Sequence, residues 1–177
     1  MSKRFLRTIL TVCMASVILT ACGSASETAF GGRTPDQLMS DFDAELKNGS
    51  LAGDAALGDQ ASFSSESQTT IHSAIIENPL DEITDAQTYF FIEEDQDGSI
   101  KSLTLGGNSS LSLISELFNL LELDDEALTT ASEVMSFDAS QPNSSTVVTA
   151  GGYEFTGIQS AKDPVGQEYL FVVKPLE

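Results

Sequence analysis

Two runs rich in aromatic and β-branched residues, 88–93 (Thr-Tyr-Phe-Phe-Ile-Glu) and 99–105 (Ser-Ile-Lys-Ser-Leu-Thr-Leu), flank Asp95-Gln96-Asp97-Gly98. Residues of this kind favour extended backbone, and Gly98 offers the positive φ that a tight reversal needs. The pair is therefore predicted to form an antiparallel hairpin. A hairpin is not stable alone in water; it needs further strands or a covering helix. This segment thus commits the chain to a larger antiparallel sheet.

The rest of the sequence supplies both partners. Residues 70–76 carry Ile71, Ile75 and Ile76 as a strand that stops at Asn78-Pro79. Val147-Val148, residues 153–158 and residues 168–174 are further strand-like runs, separated by Gly151-Gly152 and by a loop through Asp163-Pro164-Val165-Gly166. A first helix is predicted to begin at Thr34-Pro35-Asp36-Gln37, where Thr34 caps, Pro35 has the φ of a first turn and Gln37 completes a capping box. Leu38, Phe42 and Leu46 recur on one face of it, with Met39 beside them, and Asn48-Gly49 ends it. A second helix covers 111–123, with Ser112, Ser115, Glu116, Asn119 and Glu122 on its polar side. A third starts at Asp124-Asp125-Glu126 and turns Ala127, Leu128, Ala131, Val134 and Met135 inward. Residues 51–68, rich in Ala, Gly, Ser and Asp without a clear period, read as a long loop or flap. The expected fold is α+β, a small single domain with an antiparallel sheet packed against about three helices.

The N-terminus is of another kind. Lys3, Arg4 and Arg7 precede an apolar stretch over 8–19 that is too short to be a permanent membrane span. It closes on Leu19-Thr20-Ala21-Cys22, which resembles the lipobox of bacterial lipoproteins. That resemblance covers only the N-terminal end of the chain. It implies removal of residues 1–21 as a signal peptide and attachment of diacylglyceryl, with palmitate-like acyl chains, to the sulfur of Cys22. Lipid on Cys22 would then hold the protein at a membrane. Residues 22–34 are expected to form the lipidated end and a Gly/Ser/Ala-rich tether, and residues 35–177 an acidic α+β domain. Gly23 stands where Asp would resemble the inner-membrane retention signal. The expected address is therefore the outer membrane in a two-membrane host, and otherwise the outer face of the plasma membrane.

Charge narrows the functions open to such a domain. Lys3, Arg4 and Arg7 all precede Cys22, whereas every acidic residue follows it. The mature chain therefore sets 27 acidic against five basic side chains, a formal charge of −22. Nucleic acid is excluded as a partner because no basic stripe is present to meet phosphates. Anionic headgroups repel such a domain as well. Once Cys22 is lipidated and Cys13 is lost with the signal peptide, disulfides, thiol catalysis and cysteine metal sites are excluded. His72 is the only histidine, which excludes a zinc site built from several imidazoles.

No motif calls for a cofactor or marks a catalytic residue. His72 lies between Ile71 and Ser73 without a nucleophile motif and reads as a strand-surface residue. Asp95, Asp97, Gly98 and Ile100 fit several positions of a calcium loop, but Thr104 stands where the bidentate Glu belongs. Asp95 and Asp97 are accordingly candidates for a weak divalent-cation site, set against a plain acidic turn. The expected function is a non-enzymatic envelope lipoprotein, an accessory or binding module for a protein partner or ligand. The alternatives are a low-affinity cation-binding surface protein and a carboxylate-dependent hydrolase.

Overall fold

The computed structural model describes residues 25–49, 55–64, 69–77, 87–107, 110–137, 143–162 and 166–176. Cys22 and the apolar leader lie outside them. Among the described residues no helix is long and apolar enough to cross a membrane.

Seven strands form one antiparallel sheet: β1 (Ala56–Ser64), β2 (Thr70–Glu77), β3 (Thr88–Glu94), β4 (Ile100–Gly107), β5 (Ser145–Ala150), β6 (Tyr153–Lys162) and β7 (Gly166–Pro175). Their order is β1-β2-β3-β4-β7-β6-β5. Two meanders therefore meet at the β4–β7 seam, and the chain between them crosses as helices α2 (Ser110–Leu120) and α3 (Asp125–Ser132). The predicted hairpin is β3–β4. Its turn closes through Gly98 N–H donating to the Asp95 carbonyl at 3.0 Å, with Gly98 at φ 82°.

Helix α1 (Pro35–Asn48) forms as its sequence dictates. The Thr34 hydroxyl accepts from the Gln37 N–H at 3.3 Å, and the Gln37 side chain accepts from the Thr34 N–H at 2.9 Å. Two orphan donors of the first turn are satisfied reciprocally. Leu38, Met39, Phe42 and Leu46 are buried, and the Phe42 ring meets Phe90 of β3 at 4.3 Å. Burying each such side chain contributes about 1.5–3 kcal/mol.

Three sequence expectations change. Residues 51–68 are not a structureless loop, since β1 occupies Ala56–Ser64. It is an edge strand with most of its side chains exposed on both faces, so no hydrophobic alternation marks it. The domain also begins before residue 35. Phe30 is fully buried, stacks on Tyr153 at 5.3 Å and takes a positive φ of 53° that turns the chain into the core. Arg33 follows it inward, donating to the carbonyls of Phe30 at 2.8 Å and Leu120 at 3.0 Å. A cation on the last carbonyls of α2 favours its negative dipole end. Lastly, Glu116 belongs to the polar stripe of α2 yet is buried, because Gly49 at the end of α1 lies over it. Its carboxylate accepts from Asn119 Nδ2 at 3.1 Å and Ser115 Oγ at 3.4 Å. A Cβ on Gly49 would run into the Glu116 carboxylate, so a larger residue there must displace that buried side chain.

The buried residues of the helices join Ala74, Ile76, Phe90, Ile92, Leu103, Leu105, Phe155, Phe171 and Val173 in one core cluster. By strand register these sheet residues all lie on one face. Helices thus cover one side of the sheet, and the described residues leave the other side uncovered.

Candidate functional site

The uncovered face follows from the period of strands, which alternates side chains between faces. One row across it reads Ala61, Ser73, Phe91, Thr104, Val172, Thr156, Val147. The next reads Ile75, Tyr89, Gly106, Leu170, Ile158, Ser145. Phe63 and Ile71 begin a third row that continues to Glu93 and Ser102. Three of the large hydrophobic residues exposed among the described residues stand here: Phe63 at 51%, Ile75 at 46% and Val147 at 57%. The Tyr89 ring lies across Gly106, where a Cβ would meet it at 2.5 Å, and touches Phe91 at 4.7 Å between centroids. Apolar side chains thus gather on the β1–β3 part of this face, while Ser, Thr and Glu side chains are interspersed across the rest. A shallow depression of about 210 Å³ opens in the face, lined by Phe63, Ile71, Phe91, Glu93, Ser102 and Thr104.

A second constellation lies on the helix-covered face, near the start of α1. The core row Ile92, Leu103, Val173, Phe155 passes through His72 on β2 and ends with Ser62 on β1. His72 Nε2 is 2.8 Å from Glu94 Oε2, and its Nδ1 is 3.0 Å from Ser62 Oγ. A carboxylate only accepts, so Nε2 carries the proton and a neutral ring leaves Nδ1 to accept from the Ser62 hydroxyl. The His72 and Glu94 side chains are 18% and 24% exposed, which shields their contact from competing water. Glu94 also lines a cleft of about 390 Å³ between Thr34 and Pro35 at the start of α1 and the Asp97-Gly98-Ser99 turn.

His72 is thus not the free strand-surface residue its neighbours in sequence suggest. The line Ser62, His72, Glu94 has the polarity of a nucleophile, a base and an orienting carboxylate. Acyl transfer further requires donors placed for the developing oxyanion and, in the strand-to-helix design, a sharply exposed serine. Ser62 sits instead within a paired strand, opposite His72 in the β1–β2 ladder. The line ties the edge strand to β3 across β2. Sequence reasoning had no signal for Ser62 or Glu94, because three strands bring them together across separations of 10 and 22 residues.

Asp95 and Asp97 both lie in the β3–β4 turn, and their oxygens are engaged by protein groups. Asp95 pairs with Lys101 Nζ at 2.7 Å and accepts from the Gln96 N–H at 2.8 Å. Asp97 accepts from the Ser99 N–H at 2.9 Å. The hydrogen bond from Lys101 holds the Asp95 carboxyl below its usual range, and hydrogen bonds from Ser99 do the same for Asp97. The Lys101 ammonium is raised in return by Asp95. Among the described residues no group of three or more His, Cys, Asp or Glu is placed to hold a metal ion.

No protein-family model, curated protein or solved structure matches this chain.

Proposed function

We propose that this protein is a lipid-anchored lipoprotein of the bacterial cell envelope, a non-enzymatic accessory or binding module that docks a protein partner on the uncovered face of its sheet. The observation that carries this reading is the apolar depression on β1–β3, lined by Phe63, Ile71 and Phe91 and continued by Tyr89 and Ile75, on the side of the sheet that the described helices leave open. An apolar depression among exposed aromatic and aliphatic side chains fits an interaction site. Isolated exposed hydrophobic residues, such as Val147 at the far edge, need no explanation; neighbours packed around one depression do.

The charge of the mature chain selects among coverings. At −22 the domain is repelled by anionic headgroups, so it stands off the bilayer that Cys22 anchors it to. Two copies at that charge repel each other as well. A different protein is the covering that charge favours. Site-specific photocrosslinking in the native envelope tests this. A benzophenone side chain at Ile75 or Phe63 is expected to give one discrete adduct shared by both positions, and none at Leu128, which is exposed on α3. No adduct from the sheet positions, or the same adduct from Leu128, would contradict it.

A further inference from the structure

We infer that the partner presents a cationic side chain, arginine or lysine, and that the depression between Phe63, Phe91 and Glu93 receives it. This rests on the docking face proposed above and names the chemistry that occupies the depression in it. In register, Phe63 of β1, Ile71 of β2 and Glu93 of β3 stand side by side, with Phe91 diagonal to Ile71. Adjacent strands are about 4.8 Å apart, so Phe63 and Glu93 stand about 10 Å apart with Ile71 as the floor between them. A long aliphatic stem laid on Ile71 brings its charged end to Glu93 while the phenyl rings flank it. Stems of Lys and Arg cover apolar surface in this way, and aromatic faces attract the cation at their tip.

The carboxylate is held ready for such a guest. The Ser102 hydroxyl donates to Glu93 Oε2 at 3.1 Å, which fixes one oxygen and leaves acceptor capacity on the group. Lys101, its neighbouring base, is committed to Asp95. Among the described residues Glu93 enters no ion pair. The described side chains of the whole face include Glu77, Glu93 and Glu154 against Lys174 alone, and Lys174 is the direct cross-strand neighbour of Glu154. The face therefore carries a net acidic bias, and Glu93 places one of its carboxylates in the depression. An apolar partner surface bearing one cation complements both the apolar lining and that carboxylate.

The probe is an amphipathic helical peptide whose leucine face carries a single arginine, compared with the same peptide carrying citrulline, which is isosteric and neutral. Binding is measured by calorimetry on the purified full-length protein. The arginine peptide is expected to bind at least about tenfold more tightly, the scale of one charge-assisted hydrogen bond. Glu93→Gln should abolish that difference while leaving the thermal melt unchanged, and Phe63→Ser should weaken both peptides. Equal binding of the two peptides, or an arginine preference that survives Glu93→Gln, would overturn the cation site. Equal binding that Phe63→Ser still weakens would leave the docking face standing without it.

Discussion

Replacing Gly107 with alanine should cost the domain about 2–6 kcal/mol, summing left-handed backbone strain of about 1–3 with overpacking of about 1–3. Gly107 ends β4 at φ 114°, a conformation essentially confined to glycine. A Cβ there would stand 2.2 Å from the Gln87 carbonyl oxygen and 2.7 Å from Thr88 Cα, both of them backbone that cannot rotate aside. The position also launches the crossover. The Ser110 hydroxyl, buried at the start of α2, donates to the Gly107 carbonyl at 2.7 Å and lies 2.9 Å from that of Tyr169. Displacing Gly107 therefore loosens the seam between the two meanders as well as the first turn of α2. Gly152 is the control. It too has a positive φ, 85°, but a Cβ there meets nothing within 4 Å, so alanine should cost only about 1–2 kcal/mol. Urea unfolding followed by tyrosine fluorescence, which the lack of Trp makes unambiguous, measures both. Equal losses at the two glycines would show that the β3–β4 end of the sheet is more open than described.

The second large effect is on location. Under the lipoprotein proposal, Cys22→Ala removes the thiol that forms the thioether, and no other cysteine follows it. Each buried methylene contributes about 0.8 kcal/mol, and two acyl chains hold a protein where one holds it only reversibly. Losing them changes membrane partition by orders of magnitude. Wild-type protein should sediment with membranes at a mass reduced by the signal peptide and increased by lipid. Cys22→Ala protein should be unprocessed or released. Mature-sized Cys22→Ala protein that still sediments with membranes would contradict the anchor. On that proposal the tether is shorter than residues 22–34, because Phe30 and Arg33 are already fixed in the domain.

Legibility followed from how local each signal was. Helix α1 could be read almost residue by residue, since its cap, its first-turn proline and its buried face are all encoded within the helix itself. The β3–β4 hairpin was legible for the same reason, with Gly98 at the turn. Strand β1 was not, because an edge strand with exposed Asp59, Gln60, Ser62 and Ser64 carries no buried alternation to detect. The buried state of Glu116 was hidden as well. Its place in the polar stripe of α2 is real, but what covers it is Gly49, at the far end of another helix. Sheet order was similarly out of reach, since the pairing of β4 with β7 joins segments more than sixty residues apart. The candidate site depends on that order. Phe63, Phe91 and Val147 align on one face only once seven strands are in register, and Glu94 reaches His72 only through the β2–β3 ladder.

The central claim is that the open side of the sheet is covered in the cell by another protein. It is tested most directly by carbene footprinting of Phe63, Ile75 and Phe91, on the anchored protein in its native envelope and on the same protein after purification. The account predicts strong labelling of these residues in the purified protein and clear protection in the envelope, with Leu128 and Leu176 labelled alike in both. Equal labelling of the sheet residues in the two states would contradict it.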